Sequence, residues 1–541
     1  MNINKYQRSS GFTLLELLII IGIIAIVGVI IMLIVNPAEM FSQSRDTRRM
    51  VDLKNIDSAV RLARGDSIFM GNPNTVYISV PDPALSGNAT STCTNMGLPP
   101  LDPNWKYNCV SQENLAKNNG TGWIPINFSS LGAGSPFAAL PIDPENATTS
   151  WKYYRYITDS KGKYIVVSGL YSDKYKPEAV KDGGNDSEKY EVGTNMSLWE
   201  ESKKYIGLVR ENCFGYTNCF TSLNQWQTNF AGIPFGLCSQ GNLNCVDKIA
   251  VAKIDGVWMN PDTTRVKMAD LSTSKNNYIK IYTTPAARHS GKWDINKYRL
   301  EISAAADYAL GIFIQTDAVE IDGLQIHIIN NDYNSTRAIH VDDYNVSSNA
   351  KIKFVNNLIY YTFTTTNNDT AFGIYVFDKD GSYYIANNVI YGINGGYFNN
   401  SAILVFGKNN YIYNNTISDS VIGIYANSGI GDKTVAKNNI VQRASPEHLW
   451  PNRGYFGNFA TSSDYNISDI AEDAPGAHSK NSTTVQFVDV TNGDFHLSLS
   501  DTAAKDAGVN LSTDPDLSFT TDIDGQTRPS GPNWDIGADE L

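Results

Sequence analysis

His327, in Leu-Gln-Ile-His-Ile, and His340, in Ala-Ile-His-Val-Asp-Asp343, are the residues whose type and setting best suit chemistry in this chain. Each lies in an alternating apolar stretch. In a strand, alternation sends Ile326, Ile328, Ile339 and Val341 inward, so His327, His340 and Asp342 face outward. An outward imidazole is a candidate general base, and a nearby carboxylate a candidate acid or cation ligand. Arg288, His289 and Lys353 add positive charge. Two polysaccharide reactions use such groups. β-Elimination from a uronic acid needs a cation on the substrate carboxylate and a base for the α-proton. Glycoside hydrolysis needs two carboxylates across the scissile bond. Neither set is complete: Asp342-Asp343 stands alone, and Asp378, Asp380 and Asp432 sit near glycines as turn residues. The histidines therefore read as hydrogen-bonded or solvated structural residues, and no residue is assigned as catalytic. A second chemistry needs only surfaces. Tyr360, Tyr361, Tyr375, Tyr383, Tyr391 and Tyr425 are expected to line exposed strand faces, where rings stack on sugars with help from Asn side chains.

The elements that would position these residues repeat. Asn-Asn followed by aliphatic or β-branched residues recurs at Asn356-Asn357, Asn387-Asn388, Asn414-Asn415 and Asn438-Asn439, with a fainter copy at Tyr465-Asn466. The interval is about 24 to 31 residues, filled by short strands and no helix, which predicts a solenoid. Asn tolerates left-handed backbone at a bend, and its amide can build hydrogen-bond ladders between coils. A propeller blade is longer, and a sandwich would not repeat the bend. The expected fold is a parallel β-helix. Just upstream, Thr221 to Phe230 reads as a short amphipathic helix on Leu223, Trp226 and Phe230.

At the other end of the chain, Phe12 to Val35 is an apolar run whose one charge is Glu16. As a helix it rises about 36 Å, enough to cross a bilayer once. The short leader before it carries Lys5 and Arg8 and no acid, which keeps it cytoplasmic. The leader is too short and the run too long for an ordinary cleaved signal peptide. A carboxylate near the end of a membrane helix is costly and calls for a role. A cut after Gly11 would make Phe12 the N-terminus and place Glu16 one turn from the new amine. In an assembly, a neighbour's amine would neutralise it.

The segment Gly11-Phe-Thr-Leu-Leu-Glu16 resembles the type III signal of type IV pilins and type II secretion pseudopilins. The resemblance implies cleavage after Gly11 by a prepilin peptidase, N-methylation of Phe12, and helix packing with other pilin subunits through an inner-membrane assembly machinery. Many type IV pilins carry a proline within the apolar segment. Here the nearest is Pro37, which is expected to kink or loosen the helix just past the run. Farther on, Tyr278-Ile-Lys-Ile-Tyr282, Arg288-His289, Tyr298-Arg-Leu300 and Val319-Glu-Ile-Asp-Gly323 resemble early coils of right-handed parallel β-helix surface proteins. Asp524-Gly-Gln-Thr-Arg528 and Trp534-Asp-Ile-Gly-Ala-Asp-Glu540 resemble the ending of such proteins. Helices of this kind host pectate-type lyases and polygalacturonase-type hydrolases, but the hydrolase set of Asn-Thr-Asp, Asp-Asp, Gly-His-Gly and Arg-Ile-Lys is missing from the sequence.

Between these regions lies a smaller head. An amphipathic helix is expected to continue to Arg64, with Met40, Met50, Leu53, Ile56, Val60 and Leu62 as its apolar positions and Gly65 as its stop. Leu140 to Pro144 forms a rigid turn, and strands follow around Tyr153–Ile157 and Tyr164–Val167. One helix followed by a small antiparallel sheet is α+β and looks like a pseudopilin head. That likeness implies calcium at the loop carrying Asp182 and Asp186. The six cysteines fall into close pairs, Cys93 with Cys109, Cys213 with Cys219 and Cys238 with Cys245, which predicts local disulfides in an oxidising, exported setting. Lys and Arg number 43 against 55 Asp and Glu, a net charge of −12 that disfavours nucleic acid as a partner.

The expected organisation is a leader (1–11), a pilin helix (12–64, with 12–35 in the membrane), a pseudopilin-like head (65–200), a linker and cap (201–260), a parallel β-helix (261–512) and a C-terminal cap (513–541). The expected function is a minor pilin or pseudopilin that passes through the membrane and then displays an extracellular adhesin or glycan-binding domain. The alternative is a tethered polysaccharide lyase or glycoside hydrolase. No cofactor other than calcium in the head is expected.

Overall fold

The computed structural model describes residues 13–541 apart from 95, 100, 103, 149–151, 232–240, 270, 305–308, 332–334, 345, 365–369, 379, 396–398, 428, 430–431 and 443–452; the side chains of 26–35, 304 and 309 are also outside the description. Gly11, Phe12 and Cys238 therefore lie outside the described residues. The chain divides into two units, Met1–Ser202 and Lys203–Leu541.

The first unit opens with two helices, α1 (Leu14–Val35) and α2 (Pro37–Gly65). Asn36 separates them in a left-handed conformation, φ 38°, and caps α2 through its side chain, while Pro37 takes the first helical position. The expected continuous helix with a loosened joint is thus two helices. Among the described residues no helix is long and apolar enough to cross a membrane. The described side chains of α1 are exposed, among them Leu14, Leu15, Leu18 and Ile24. Such a surface needs a cover.

Of the six apolar positions expected on α2, Leu53, Ile56 and Val60 are buried, while Met40 and Leu62 are exposed. The buried set packs with Tyr154, Tyr156, Tyr164 and Val166 on one face of a sheet. Tyrosine hydroxyls from that sheet reach back to the helix: Tyr154 to Asp52 at 2.9 Å and Tyr164 to Asp57 at 2.6 Å. The sheet runs, in spatial order, Thr90–Ser91, Lys106–Val110, Thr75–Ile78, Arg155–Thr158, Tyr164–Gly169, Lys189–Gly193. It is antiparallel except where Thr75–Ile78 pairs in parallel with Lys106–Val110. A parallel pair needs a long crossover. The Cys93–Cys109 disulfide ties that crossover to its strand, and Cys93, Cys109, Leu198 and Trp199 cover the other face.

A buried ion network locks the start of α2. Arg49 is 0% exposed and donates Nε and Nη2 to the two carboxylate oxygens of Asp143, at 2.7 and 3.0 Å. It also donates to Asp46 and Glu145, each at 2.9 Å. Asp46 in turn accepts the Tyr171 and Ser172 N–H groups.

The second unit is a parallel β-helix. Its strands form three all-parallel sheets of seven, nine and seven strands. One coil shows the path: Ala309–Ile314 in the first sheet, Ala318–Asp322 in the second, Gln325–Asn330 in the third, then Thr336–Asp342 back in the first. Inward residues stack in register. One column runs Ile312, Ile339, Ile374, Ile403, Ile424, Tyr455, all buried. Another runs Ile326, Ile359, Ile390, Ile417, Val441. The helix Leu223–Ala231 joins this core through Leu223, Trp226 and Phe230. Gly207 lies under Trp226, where a Cβ would meet the indole at 2.3 Å.

The Asn-Asn bends are the corner between the second and third sheets. The first residue of each is left-handed: Asn356, Asn387, Asn414, Asn438 and Tyr465 have φ between 51° and 58°. The second points inward and forms a ladder. Asn388 Oδ1 accepts the backbone N–H and the side-chain amide of Asn357, at 2.9 and 3.0 Å. Asn415, Asn439 and Asn466 repeat this on Asn388, Asn415 and Asn439 at 2.9–3.1 Å. All five ladder residues are 0% exposed. The rung spacings of 31, 27, 24 and 27 residues show that coil length varies while this corner does not.

The C-terminal tail runs along the flank of the corner. The outward amides of Asn387, Asn414 and Asn438 donate to tail carbonyls of Thr521, Gly537 and Val509, at 2.8, 2.9 and 2.8 Å. Trp534 is fully buried against Tyr411 and Tyr413, and a buried Arg528–Glu540 pair at 2.8 Å holds the last turn.

Candidate functional site

His327 and His340 stand on different sheets and face different sides of the β-helix, so they do not form one site.

On the third sheet an outward column runs Glu301, His327, Tyr360, Tyr391 in register. The His327 and Tyr360 rings stack at 4.5 Å, and Tyr360 and Tyr391 at 4.8 Å. Trp293 stands edge-on to His327 and Tyr360, and Phe495 packs on Tyr391. Both His327 nitrogens are engaged: Nδ1 with Glu301 Oε2 at 3.1 Å and Nε2 with Thr362 Oγ1 at 2.9 Å. The His327 hydrogen bond holds the Glu301 carboxyl below its ordinary range. The His327 side chain is 13% exposed. This column is a covered brace across the coils.

On the first sheet the outward column is Phe313, His340, Tyr375, Leu404, Tyr425, Phe456. His340 is outward in register yet buried, with Phe313 at 5.2 Å and Tyr375 at 5.1 Å. The expectation is a hydrogen-bonded or solvated imidazole; the large rings of the adjacent coils close over it instead, and Nδ1 has no hydrogen-bond partner among the described residues. Burial pushes its pKa down to about 4, helped by the nearby Arg337 charge, so the ring is neutral at neutral pH. Asp342 accepts from the Tyr344 N–H at 3.3 Å and the Gln315 amide at 3.4 Å. Around this column lie Phe377, Phe406 and two arginines, Arg337 over Tyr375 at 4.4 Å and Arg453 over Phe456 at 4.9 Å. Phe377 is 37% exposed and Tyr344 67%. The first sheet therefore offers an aromatic strip edged by cations, a surface suited to sugar ring faces and to carboxylates between them.

Two of the six tyrosines differ from expectation. Tyr361 and Tyr383 are core residues, in register with Ile328 and Ile352. Neighbouring residues of a strand alternate, so Tyr360 and Tyr361 cannot share a face. The buried hydroxyls find partners, Tyr361 on the Phe372 carbonyl at 2.7 Å and Tyr383 on Asp378. Asp378 also accepts the Asp380 and Gly381 N–H groups, as a turn residue does.

In the head, Asp182 accepts the Gly184 and Glu191 N–H groups, and Asp186 accepts from the Glu188 N–H and the Trp199 indole. All four oxygens thus hold donors with which a cation would compete. Among the described residues the group with metal-ligand spacing is Asp522, Asp524 and Asp539 in the tail. Sequence reasoning passed over these three; their one signal is the Asp-Ile-Asp-Gly run ahead of the last acidic residues. Two expected disulfides are formed, Cys93–Cys109 and Cys213–Cys219, and Cys245 is also disulfide-bonded.

At the N-terminus, Thr13 and Glu16 form a capping box. Glu16 accepts the Thr13 N–H at 2.9 Å and hydroxyl at 2.8 Å, and Thr13 Oγ1 accepts the Glu16 N–H at 3.3 Å. The carboxylate is thereby held in the first turn of an apolar helix. No curated protein and no solved structure matches the chain. The family model for the prokaryotic N-terminal methylation motif matches residues 6–32. The chain therefore carries a pilin-type signal, the mark of processing by prepilin peptidase and of assembly with pilin-type partners.

Proposed function

We infer that this chain is a minor pilin-type or pseudopilin-type subunit that spans the membrane once before assembly and then displays its β-helix outside the cell as a glycan-binding or adhesive module. The observation that carries the reading is the methylation signal at residues 6–32 on the same chain as a parallel β-helix. The exposed apolar residues of α1 suit lipid first and neighbouring α1 helices later. Cleavage after Gly11 would leave an amine at Phe12, beside the Thr13 N–H that Glu16 already accepts. A large domain is easier to place at a filament tip than along its shaft, which favours a minor subunit. The aromatic strip of the first sheet is the surface that would meet a glycan. Calcium at Asp182 and Asp186 would stiffen the head in this reading only by displacing the donors that their four oxygens hold.

The test has two arms. Glu16→Ala is expected to remove the chain from sheared filaments while leaving its membrane level unchanged; normal incorporation would overturn the filament role. The full-length chain in detergent is then screened on uronic-acid and neutral polysaccharides for binding and for product release. Binding that Tyr375→Ala weakens supports the display reading. Unsaturated or reducing ends would replace it with the lyase or hydrolase alternative.

A further inference from the structure

The tail brings three carboxylates together in one place. Asp522 and Asp524 lie in the loop closed by the Thr521–Thr527 bridge, and Asp539 lies near the last residue. One oxygen from each falls within 4.8 Å of the others. Two oxygens bound to one Ca2+ at about 2.4 Å each can be at most about 4.8 Å apart, so the trio fits a shared ion. Asp522 and Asp539 are 1% and 4% exposed.

The hydrogen bonds around the trio leave one buried oxygen without a donor among the described residues. Asp522 accepts three backbone N–H groups, from Gly525, Gln526 and Glu540, at 2.9, 2.7 and 3.2 Å. Asp524 hydrogen-bonds the Asp522 carboxyl and makes longer contacts to the Gln526 amide at 3.3–3.4 Å and His496 Nε2 at 3.7 Å. Asp539 uses one oxygen to accept the Leu497 N–H at 2.7 Å, while its other oxygen, Oδ1, is buried without a hydrogen-bond partner among the described residues. An acceptor of this kind on a nearly fully buried carboxylate calls for a donor or a cation. One cation nearby, His496, already faces Asp524 through Nε2 at 3.7 Å, so the trio sets three carboxylates against one imidazolium. His496 Nδ1 holds Asp494 at 2.5 Å, and Arg528 bonds Glu540 and the carbonyls of Asp535, Gly537 and Ala538. Beside Asp539 lies an open, largely apolar depression of about 470 Å³ lined by His496, Leu497, Leu499, Gln526 and Leu541, which gives solvent access to that carboxylate.

We propose that Asp522, Asp524 and Asp539 bind a divalent cation of the Ca2+ class and so fasten the tail to the β-helix. All-oxygen ligands and the wide spacing favour Ca2+ over the smaller Mg2+. The ion joins the loop at 521–527, the last residues, and, through the Asp539–Leu497 hydrogen bond, the strand Asp494–Leu497.

The test uses the full-length chain in detergent, stripped with a chelator and titrated calorimetrically with CaCl2 alone. Saturation is expected by about 1 mM, the range of extracellular modules. Asp182→Asn/Asp186→Asn removes any contribution from the head and is expected to leave this binding event in place. Asp524→Asn is expected to weaken it at least about tenfold. Asp524 makes no backbone hydrogen bond, so this variant is chosen to keep the fold, checked by circular dichroism. Ca2+ is also expected to slow release of C-terminal residues by carboxypeptidase in the wild type and not in Asp524→Asn. The proposal is overturned if the D182N/D186N chain no longer binds, if Asp524→Asn titrates like the wild type, or if MgCl2 saturates the site as readily as CaCl2.

Discussion

Asn415→Ala tests the idea that the corner ladder holds the β-helix together. In the wild type, Asn415 Oδ1 accepts the Asn388 backbone N–H at 3.0 Å and side-chain amide at 2.9 Å. Its own amide donates to Asn439 Oδ1, the Ile385 carbonyl and the Tyr413 carbonyl, at 3.0, 2.9 and 3.1 Å. After substitution, the Asn388 side chain keeps the Phe354 carbonyl, and Asn439 Oδ1 keeps the Asn415 backbone N–H. The Asn388 backbone N–H is left buried with no acceptor. One orphaned buried donor costs about 1–3 kcal/mol and each of the four further lost bonds about 0.5–1.5, so the sum is about 3–9 kcal/mol. Asn409→Ala is the control, since the half-buried Asn409 makes a single side-chain bond, to Ser382 at 3.2 Å, and should cost under about 1 kcal/mol. Asn415→Asp should be at least as harmful as alanine, because it sets a buried charge among three acceptor oxygens. Urea unfolding of the full-length chain, followed through buried Trp226, Trp258 and Trp534, measures all three. If Asn415→Ala falls within about 0.5 kcal/mol of Asn409→Ala, the ladder is not a main support and the argument fails.

Two further outcomes follow from buried charge. Arg49→Leu strands Asp46 and Asp143 inside the head and should cost about 3–5 kcal/mol; Arg49→Lys should not restore it, since one ammonium cannot reproduce the paired Nε and Nη2 bonds, and rapid proteolysis of the head reads both out. His289 donates Nε2–H to the Asn356 carbonyl at 2.9 Å and accepts the Gly291 N–H at 3.2 Å, which fixes a neutral ring. Burial pushes its pKa down from 6.5 to about 3. The unfolded chain therefore takes up this proton first, so the stabilisation is whole above pH 6.5 and is lost as pH falls toward 3. His289→Gln should flatten the dependence of unfolding free energy on pH by about 1.4 kcal/mol per unit between those limits, and an unchanged slope would count against a buried neutral ring.

What the sequence disclosed depended on the distance over which the information is carried. The Asn-Asn corner is local: a left-handed residue and an inward amide sit side by side, and their recurrence announces the coil. The pilin signal is likewise a contiguous segment. The role of Arg49 is opaque in the sequence because its partners Asp143 and Glu145 lie 94 and 96 residues away. His340 was placed on the correct face but assigned the wrong environment, because the rings that bury it come from neighbouring coils. Tyr361 and Tyr383 were misplaced by composition overriding strand alternation. The tail carries acidic residues in plain view, but Asp539 is held in place by the Leu497 N–H, 42 residues away.

The tail also sets a limit on how this domain can lengthen in evolution. Its carbonyls meet Asn387, Asn414 and Asn438 at fixed places, so the tail acts as a gauge matched to the coils between those residues. A duplicated coil placed before Lys292, which itself bridges to Asp494, would slide in without disturbing that match. The same insertion between Asn387 and Asn438 would move the corner out of step with a tail of unchanged length. Growth and shrinkage of such β-helices should therefore be recorded at the N-terminal side, while the strapped coils stay constant in number.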